Sequence, residues 1–422
     1  MPTMYAPDTV LHVPPFQHRL EGDTVSIGDT NRNVFLSLPS SGLGILQDLA
    51  AGHTIGETSR RYEERTGRQV DIDGFVGALE AEGFVRPAGS APAEPAAAAE
   101  PDRFVGHLSW ISTETARRIV GPPVVILALA LLAGMVALVA TDPGVVPGFQ
   151  ALIYPHHLAM LTWITFAIGF TATMLHEFAH VIAARAAGVP SRIRLSNRMF
   201  IPVIETDMTG IWLAPKRARY LAFLAGALLD SASLALFIAV LWAERRGWVS
   251  FSPTTLLLLN GVAVTYIGRI YWQGFLFVRT DLYYTVATAF GCKDLMTDTQ
   301  HFIENALRRV TGRKALWDQS ALPRRERRVV WGFSVFWLIG RAMALLLLVS
   351  VTIPVLWHYL STIYDFLTNP STIWTSFDFV TSVLLSTAVT GTGLVLWGRA
   401  LARGIATRLA ARRGTHPQPS PA

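Results

Sequence analysis

The sequence predicts a multi-span α-helical membrane protein of about six transmembrane helices, with a small winged-helix-like α+β domain at its N-terminus. Three observations carry this. The 422 residues are 51% hydrophobic with a mean hydropathy of +0.36, too apolar for an ordinary soluble domain. Several apolar runs reach the ~20 residues that cross a bilayer as a helix. Residues 1–86 have another texture, with short strand-like and helix-like stretches separated by turn residues. Cys292 is the only cysteine, so no internal disulfide or cysteine-based zinc site is expected. The start MPTMYAPDTV has no basic stretch followed by an apolar core, so no cleavable signal peptide is expected.

In the N-terminal domain, Thr24–Ile27 and Asn33–Leu38 predict a hairpin turning at Gly28–Asp29. A helix follows over Ser41–Ala51 and stops at Gly52. Thr54 and Glu57 form a capping box for a second helix ending at Gly67. A third helix over Gly74–Glu82 has Asp73 as its candidate cap and Gly83 as its stop, and Phe84–Arg86 returns as a strand. Residues 1–86 contain seven Arg, no Lys and twelve Asp plus Glu, a net charge of −5. Such a surface disfavours nucleic acid.

Residues 87–103 form a Pro/Ala/Glu linker that cannot build a core. Residues 104–290 form the predicted membrane core, opening with a surface-lying amphipathic segment to Val120 and continuing through spans near 122–141, 158–187, 221–242 and 254–278. Residues 291–328 form a basic segment, 329–398 hold two further spans near 329–356 and 377–397, and 399–422 form a basic tail. The loops 188–220 and 279–328 are rich in Lys and Arg, whereas 142–156 and 357–376 have none. That asymmetry puts both termini in the cytoplasm of a multi-pass protein of the cell membrane, with Arg245–Arg246 alone running against it. The formal charge of +6 fits cytoplasmic loops better than a nucleic-acid partner.

Inside the second predicted span lies His176-Glu177-Phe178-Ala179-His180. Residues four apart share a helix face, so His176 and His180 can hold one metal ion. Glu177, beside the first ligand, is positioned as a general base. Two histidines and a glutamate are costly in hydrocarbon and mark a functional site. A catalytic zinc takes a third protein ligand. His156 and His157 are about 20 residues away, roughly 30 Å along a helix. Asp230 and Asp281 are better placed, and Glu205 and Asp207 in the next loop read as solvated or substrate-side groups.

The HEFAH motif in an apolar helix resembles the site-2 protease family of intramembrane zinc metalloproteases, over about residues 120–290. In that family a later helix supplies an aspartate, usually followed by glycine and often by two tyrosines. The run Thr280-Asp281-Leu282-Tyr283-Tyr284 matches it, so the resemblance implies one zinc ion per chain held by His176, His180 and Asp281. Leu282 stands where the family has glycine, and the upstream asparagine-proline pair is missing from YWQGFLFVRT. Asp230 is left as a packing or substrate-contacting group. The resemblance also implies that 189–218 contains strands that pair with an extended substrate; an ordinary loop is the alternative.

The stretches VSIGDTNRNVFLSL, LGILQDLAAGHTIGETSRRY and ALEAEGFV resemble PqqD-like peptide-recognition domains. Those domains bind the leader of a ribosomally made peptide as an added strand. Together the two resemblances imply leader removal or maturation of such a peptide, with membrane lipid and a peptide or membrane-protein substrate as partners. Regulated proteolysis of a membrane-tethered signalling protein is an alternative, and a non-catalytic export or immunity protein is another.

Overall fold

The computed structural model describes residues 5–22, 24–29, 34–87, 110–148, 151, 158–292, 294–319, 322, 324–368 and 384–412. The linker after residue 87, His156 and His157, the first part of the predicted sixth span and the end of the basic tail lie outside them. The described residues fall into two compact units, one within 1–117, 184–192 and 207–219, the other within 118–183, 193–206 and 220–422.

The first unit has strands β1 (Leu11–His12), β2 (Gln17–Glu21), β3 (Thr24–Asp29) and β4 (Val34–Pro39), helices α1 (Ser40–Ala50), α2 (Ile55–Thr66) and α3 (Ile72–Ala81), and β5 (Arg86–Pro87). The antiparallel sheet runs β2-β3-β4, with Ile27 opposite His18 and Leu36, and β1 pairs with β5. The sequence anticipated β3, β4, the helices and a returning strand reaching Arg86, but missed β1 and β2, and it put the hairpin turn at Gly28–Asp29, which the structure keeps inside β3 opposite Phe35 and Val34. The run QHRLE in β2 is largely exposed and has no buried alternation to betray it. Period-two placement in β3 sends Val25 and Ile27 into a core with Ile45, Leu46, Leu49, Val76, Leu79 and Phe84. Truncating one of these to alanine costs about 2–5 kcal/mol.

The capping box forms as predicted. Glu57 N–H donates to Thr54 Oγ1 at 3.2 Å, and Thr54 N–H donates to Glu57 Oε2 at 3.1 Å. The cap of α3 is Asp71 rather than Asp73, with Gly74 N–H donating to Asp71 Oδ1 at 3.0 Å. The pattern D-x-D allowed either, and the helix starts at the earlier one.

A short turn of 3-10 helix, Thr209–Leu213, packs on β2, β3 and β4 in the same unit. Arg219, 3% exposed, fixes it. Its guanidinium pairs with the Glu21 carboxylate, donates to Trp212 O at 2.7 Å and Ala214 O at 3.0 Å, and lies 5.4 Å from the centre of the Trp212 ring.

The remaining helices are α4 (Thr113–Ile119), α5 (Pro122–Thr141), α6 (Leu158–Ala186), α7 (Lys216–Arg245), α8 (Pro253–Gln273), α9 (Asp281–Phe290), α10 (Leu295–Val310), α11 (Arg324–Leu347) and α12 (Ile353–Thr368), with a final helix Leu384–Arg412. Between α6 and α7 lies a hairpin of β6 (Arg192–Arg198) and β7 (Ile201–Asp207). Thus the segment with two open readings contains strands. Among the described residues, four helices are long and apolar enough to cross a membrane: Thr113–Thr141, Trp163–Ala186, Lys216–Arg245 and Arg324–Ser350. The expected span 254–278 is not one of them. Helix α8 stops at Gln273 and carries Asn260, Arg269 and Gln273, which break its apolar character.

Removing one partner of a buried ion pair costs about 3–5 kcal/mol. Arg219→Met is therefore expected to open the contact of Thr209–Leu213 with the sheet, read as faster limited proteolysis at 207–219. Unchanged protection would show that Arg219 does not hold this segment.

Candidate metal centre

Helix α6 begins at Leu158 and ends at Ala186, where Gly188 takes the left-handed conformation at φ 75°. His176 and His180, one turn apart, face the same way with ring centres 4.8 Å apart. They are 5% and 1% exposed, and Glu177 is 6% exposed.

Asp281 arrives from the opposite direction. Helix α8 ends at Gln273 and a 3-10 turn over Leu276–Val278 follows. Arg279 then adopts a left-handed backbone at φ 59°, ψ 51°, which costs about 1–2 kcal/mol for a non-glycine residue. The Thr280 hydroxyl closes the bend by donating to Gln273 O at 2.8 Å. Helix α9 starts at Asp281, so Leu282 lies in its first turn, where helical backbone requires no glycine.

His176 Nε2 lies 3.1 Å from His180 Nε2 and 3.1 Å from Asp281 Oδ2, and His180 Nε2 lies 3.3 Å from Asp281 Oδ2. The outer ring nitrogens decide what this means. His180 Nδ1 is 2.7 Å from Ala222 O, and a carbonyl only accepts, so Nδ1 carries the proton. His176 Nδ1 is 2.8 Å from Asp230 Oδ2, again an acceptor when ionised. With both rings neutral, each Nε2 presents a lone pair. Two lone pairs and a carboxylate oxygen then converge with no proton among them, an arrangement a cation resolves. Around a tetrahedral zinc with bonds of ~2.0–2.1 Å, ligand atoms stand about 3.3 Å apart, which matches the three separations. His176, His180 and Asp281 form the one such group of possible metal ligands among the described residues.

The other predicted residues are placed as follows. Asp230 lies behind His176, on Nδ1, and outside the ligand group. Glu205 and Asp207 are in β7 and pair with arginines of the same hairpin. Glu205 Oε1 accepts from Arg194 Nε at 3.0 Å, the other oxygen pairs with Arg198, and Asp207 accepts from Arg192 Nε at 3.3 Å. Thr206 between them points the other way, as strand alternation requires. Its hydroxyl donates to Glu177 Oε2 at 2.7 Å and lies 3.1 Å from Glu177 O.

Sequence reasoning missed four residues here: Thr206, Gly226, Arg269 and Gln273. Gln273 Nε2 donates to Asp281 Oδ2 at 2.9 Å. Arg269 Nε donates to Asp230 Oδ2 at 3.1 Å. Arg269 had a legible signal, because it is the single charged residue of 253–278, and an ion inside an apolar helix calls for a partner. Gln273 follows it by one turn. Gly226 lets α7 approach the imidazole: a Cβ there would sit 2.5 Å from His176 Nε2 and 2.6 Å from Cδ2 and Cε1.

No family model, curated protein or solved structure matches the chain.

Since a Cβ at 226 would overlap the His176 ring at 2.5–2.6 Å, Gly226→Ala is expected to displace His176 and weaken divalent-metal affinity at least about tenfold, the scale of outer-shell changes. Chelator competition on the purified chain measures it. Affinity equal to that of the unaltered protein would show that the His176 position is not needed for binding.

Proposed function

We propose that the chain is an intramembrane zinc metallopeptidase. The observation that carries this is the convergence of the buried His176 Nε2 and His180 Nε2 with Asp281 Oδ2, whose side chain keeps 25% of its surface exposed, with the Glu177 carboxylate beside the histidines on the same helix. Two imidazoles and a carboxylate at tetrahedral spacing are a donor set of catalytic zinc. When bound, zinc supplies a Lewis acid that polarises a scissile carbonyl and acidifies water at the site.

The chain's own groups do the rest. His176 and His180 keep their Nε2 lone pairs inward because their Nδ1 protons are engaged. Glu177 takes a proton from the attacking water and returns it to the leaving amine. The Thr206 hydroxyl holds Glu177 Oε2 and so fixes the direction of the carboxylate. A helical peptide bond is shielded, so the substrate unwinds to react, and the β6–β7 hairpin offers an extended backbone beside Glu177 for it to pair with.

The rest of the reading follows from sequence. The resemblance to site-2 proteases supports the reaction class. The loop charges support about six spans in the cell membrane, with both termini in the cytoplasm. The N-terminal domain, with its three-stranded sheet edged by β2 and β4, is proposed to hold the leader of a ribosomally made peptide while the membrane site cuts it.

Glu177→Gln is expected to lower hydrolysis by at least about a hundredfold, the scale of lost acid–base catalysis, with zinc content unchanged. A Glu177→Gln chain that still cleaves the precursor would refute the assignment of Glu177. Deleting residues 1–86 is expected to slow cleavage of a leader-bearing precursor without changing zinc content; equal rates would remove the leader role and leave the peptidase reading intact.

A further inference from the structure

Behind the three ligand residues lies a charged pair, Asp230 and Arg269, whose arginine the proposed chemistry does not use. Asp230 is 2% exposed on α7. One of its oxygens, Oδ2, lies 2.8 Å from His176 Nδ1 and 3.1 Å from both Nε and the nearer terminal nitrogen of Arg269 on α8. Arg269 also reaches α6, donating to Thr173 Oγ1 at 2.7 Å and Ala172 O at 3.5 Å. Thus a single arginine, 19% exposed at its side chain, touches the helix bearing the histidines and the carboxylate that orients one of them.

The two histidines are unequal in consequence. His180 is backed by a neutral carbonyl, Ala222 O, whereas His176 is backed by a carboxylate. A carboxylate behind an imidazole raises its basicity as a ligand and fixes its tautomer. That carboxylate is buried, and the two Arg269 nitrogens on Oδ2 fix where it points.

Resting on the metal-site reading, we infer that Arg269 is a positioning residue for metal binding: its two contacts with Asp230 Oδ2 hold that carboxylate aimed at His176 Nδ1, which makes His176 the stronger of the two histidine ligands. A purely mechanical role, joining α8 to α6, would need only the contacts with Thr173 and Ala172 O.

The test uses the full chain purified in detergent, with zinc affinity read by chelator competition and the cobalt-substituted protein read by its visible absorption spectrum. Arg269→Gln is expected to lower zinc affinity about 10–100-fold, as loss of an outer-shell partner does, and to change the cobalt spectrum. Arg269→Lys, which keeps the charge, recovers part of the affinity. Thr173→Val removes the shorter tie to α6, leaving the 3.5 Å contact with Ala172 O, and keeps Arg269 on Asp230; it is expected to keep zinc affinity within about threefold of the unaltered chain, well short of the loss of an outer-shell partner. Arg269→Gln with unaltered zinc affinity and cobalt spectrum overturns the inference, as does a Thr173→Val chain that loses zinc as severely as Arg269→Gln. If Arg269→Gln does not fold, the Thr173→Val and Arg269→Lys results decide between charge and tie. An unaltered chain that holds neither zinc nor cobalt overturns the metal-site reading itself.

Discussion

Three lone-pair atoms meet within about 3 Å of one another, and the rest of the second unit is arranged around that meeting. Such an arrangement is repulsive when both rings are neutral, and the burial of both rings leaves little solvent to screen it. The chain contributes what a cation needs and leaves the cation itself to be supplied. Each outward polar group is meanwhile satisfied: Ala222 O takes the His180 proton, Asp230 faces the His176 Nδ1, Gln273 donates to Asp281, and Thr206 donates to Glu177. Every one of these partners comes from a different element than the group it serves.

That division of labour explains the local architecture. Helix α7 comes close enough to bring Ala222 and Asp230 to the rings because Gly226, between them, has no side chain. Helix α8 stops early and the chain bends through a left-handed Arg279, so that Asp281 opens a new helix facing the histidines. A continuous helix through 278, as hydropathy implied, would have carried the aspartate past the site. The polar residues that lower the apolar character of α8, Arg269 and Gln273, are the ones that reach Asp230 and Asp281. The apolar character of the helix was traded for contacts at its end.

The difference between what the sequence disclosed and what it hid has a physical cause. His176, Glu177 and His180 were legible because they are local, at one-turn spacing on one helix. The Thr54–Glu57 box and the left-handed stops at Gly52 and Gly67 were legible for the same reason. Asp281 is 105 residues from His176, and its pairing came from resemblance, since spacing in the chain says nothing about which distant carboxylate returns to a given helix face. The strand β2 was hidden because neither face of it is buried enough to impose a pattern. Gly226 was hidden because its contribution is an absence of atoms. Thr206 was hidden because a threonine in a short strand is ordinary until its neighbour is known.

The most direct test of the account is X-ray absorption at the zinc edge of the purified full chain loaded with one equivalent of the metal. The account predicts a first shell of nitrogen and oxygen only, at ~2.0–2.1 Å, with the outer-ring scattering of two imidazoles, reduced to one imidazole in His180→Ala. A shell with no imidazole signature, or a signature unchanged in His180→Ala, would contradict it.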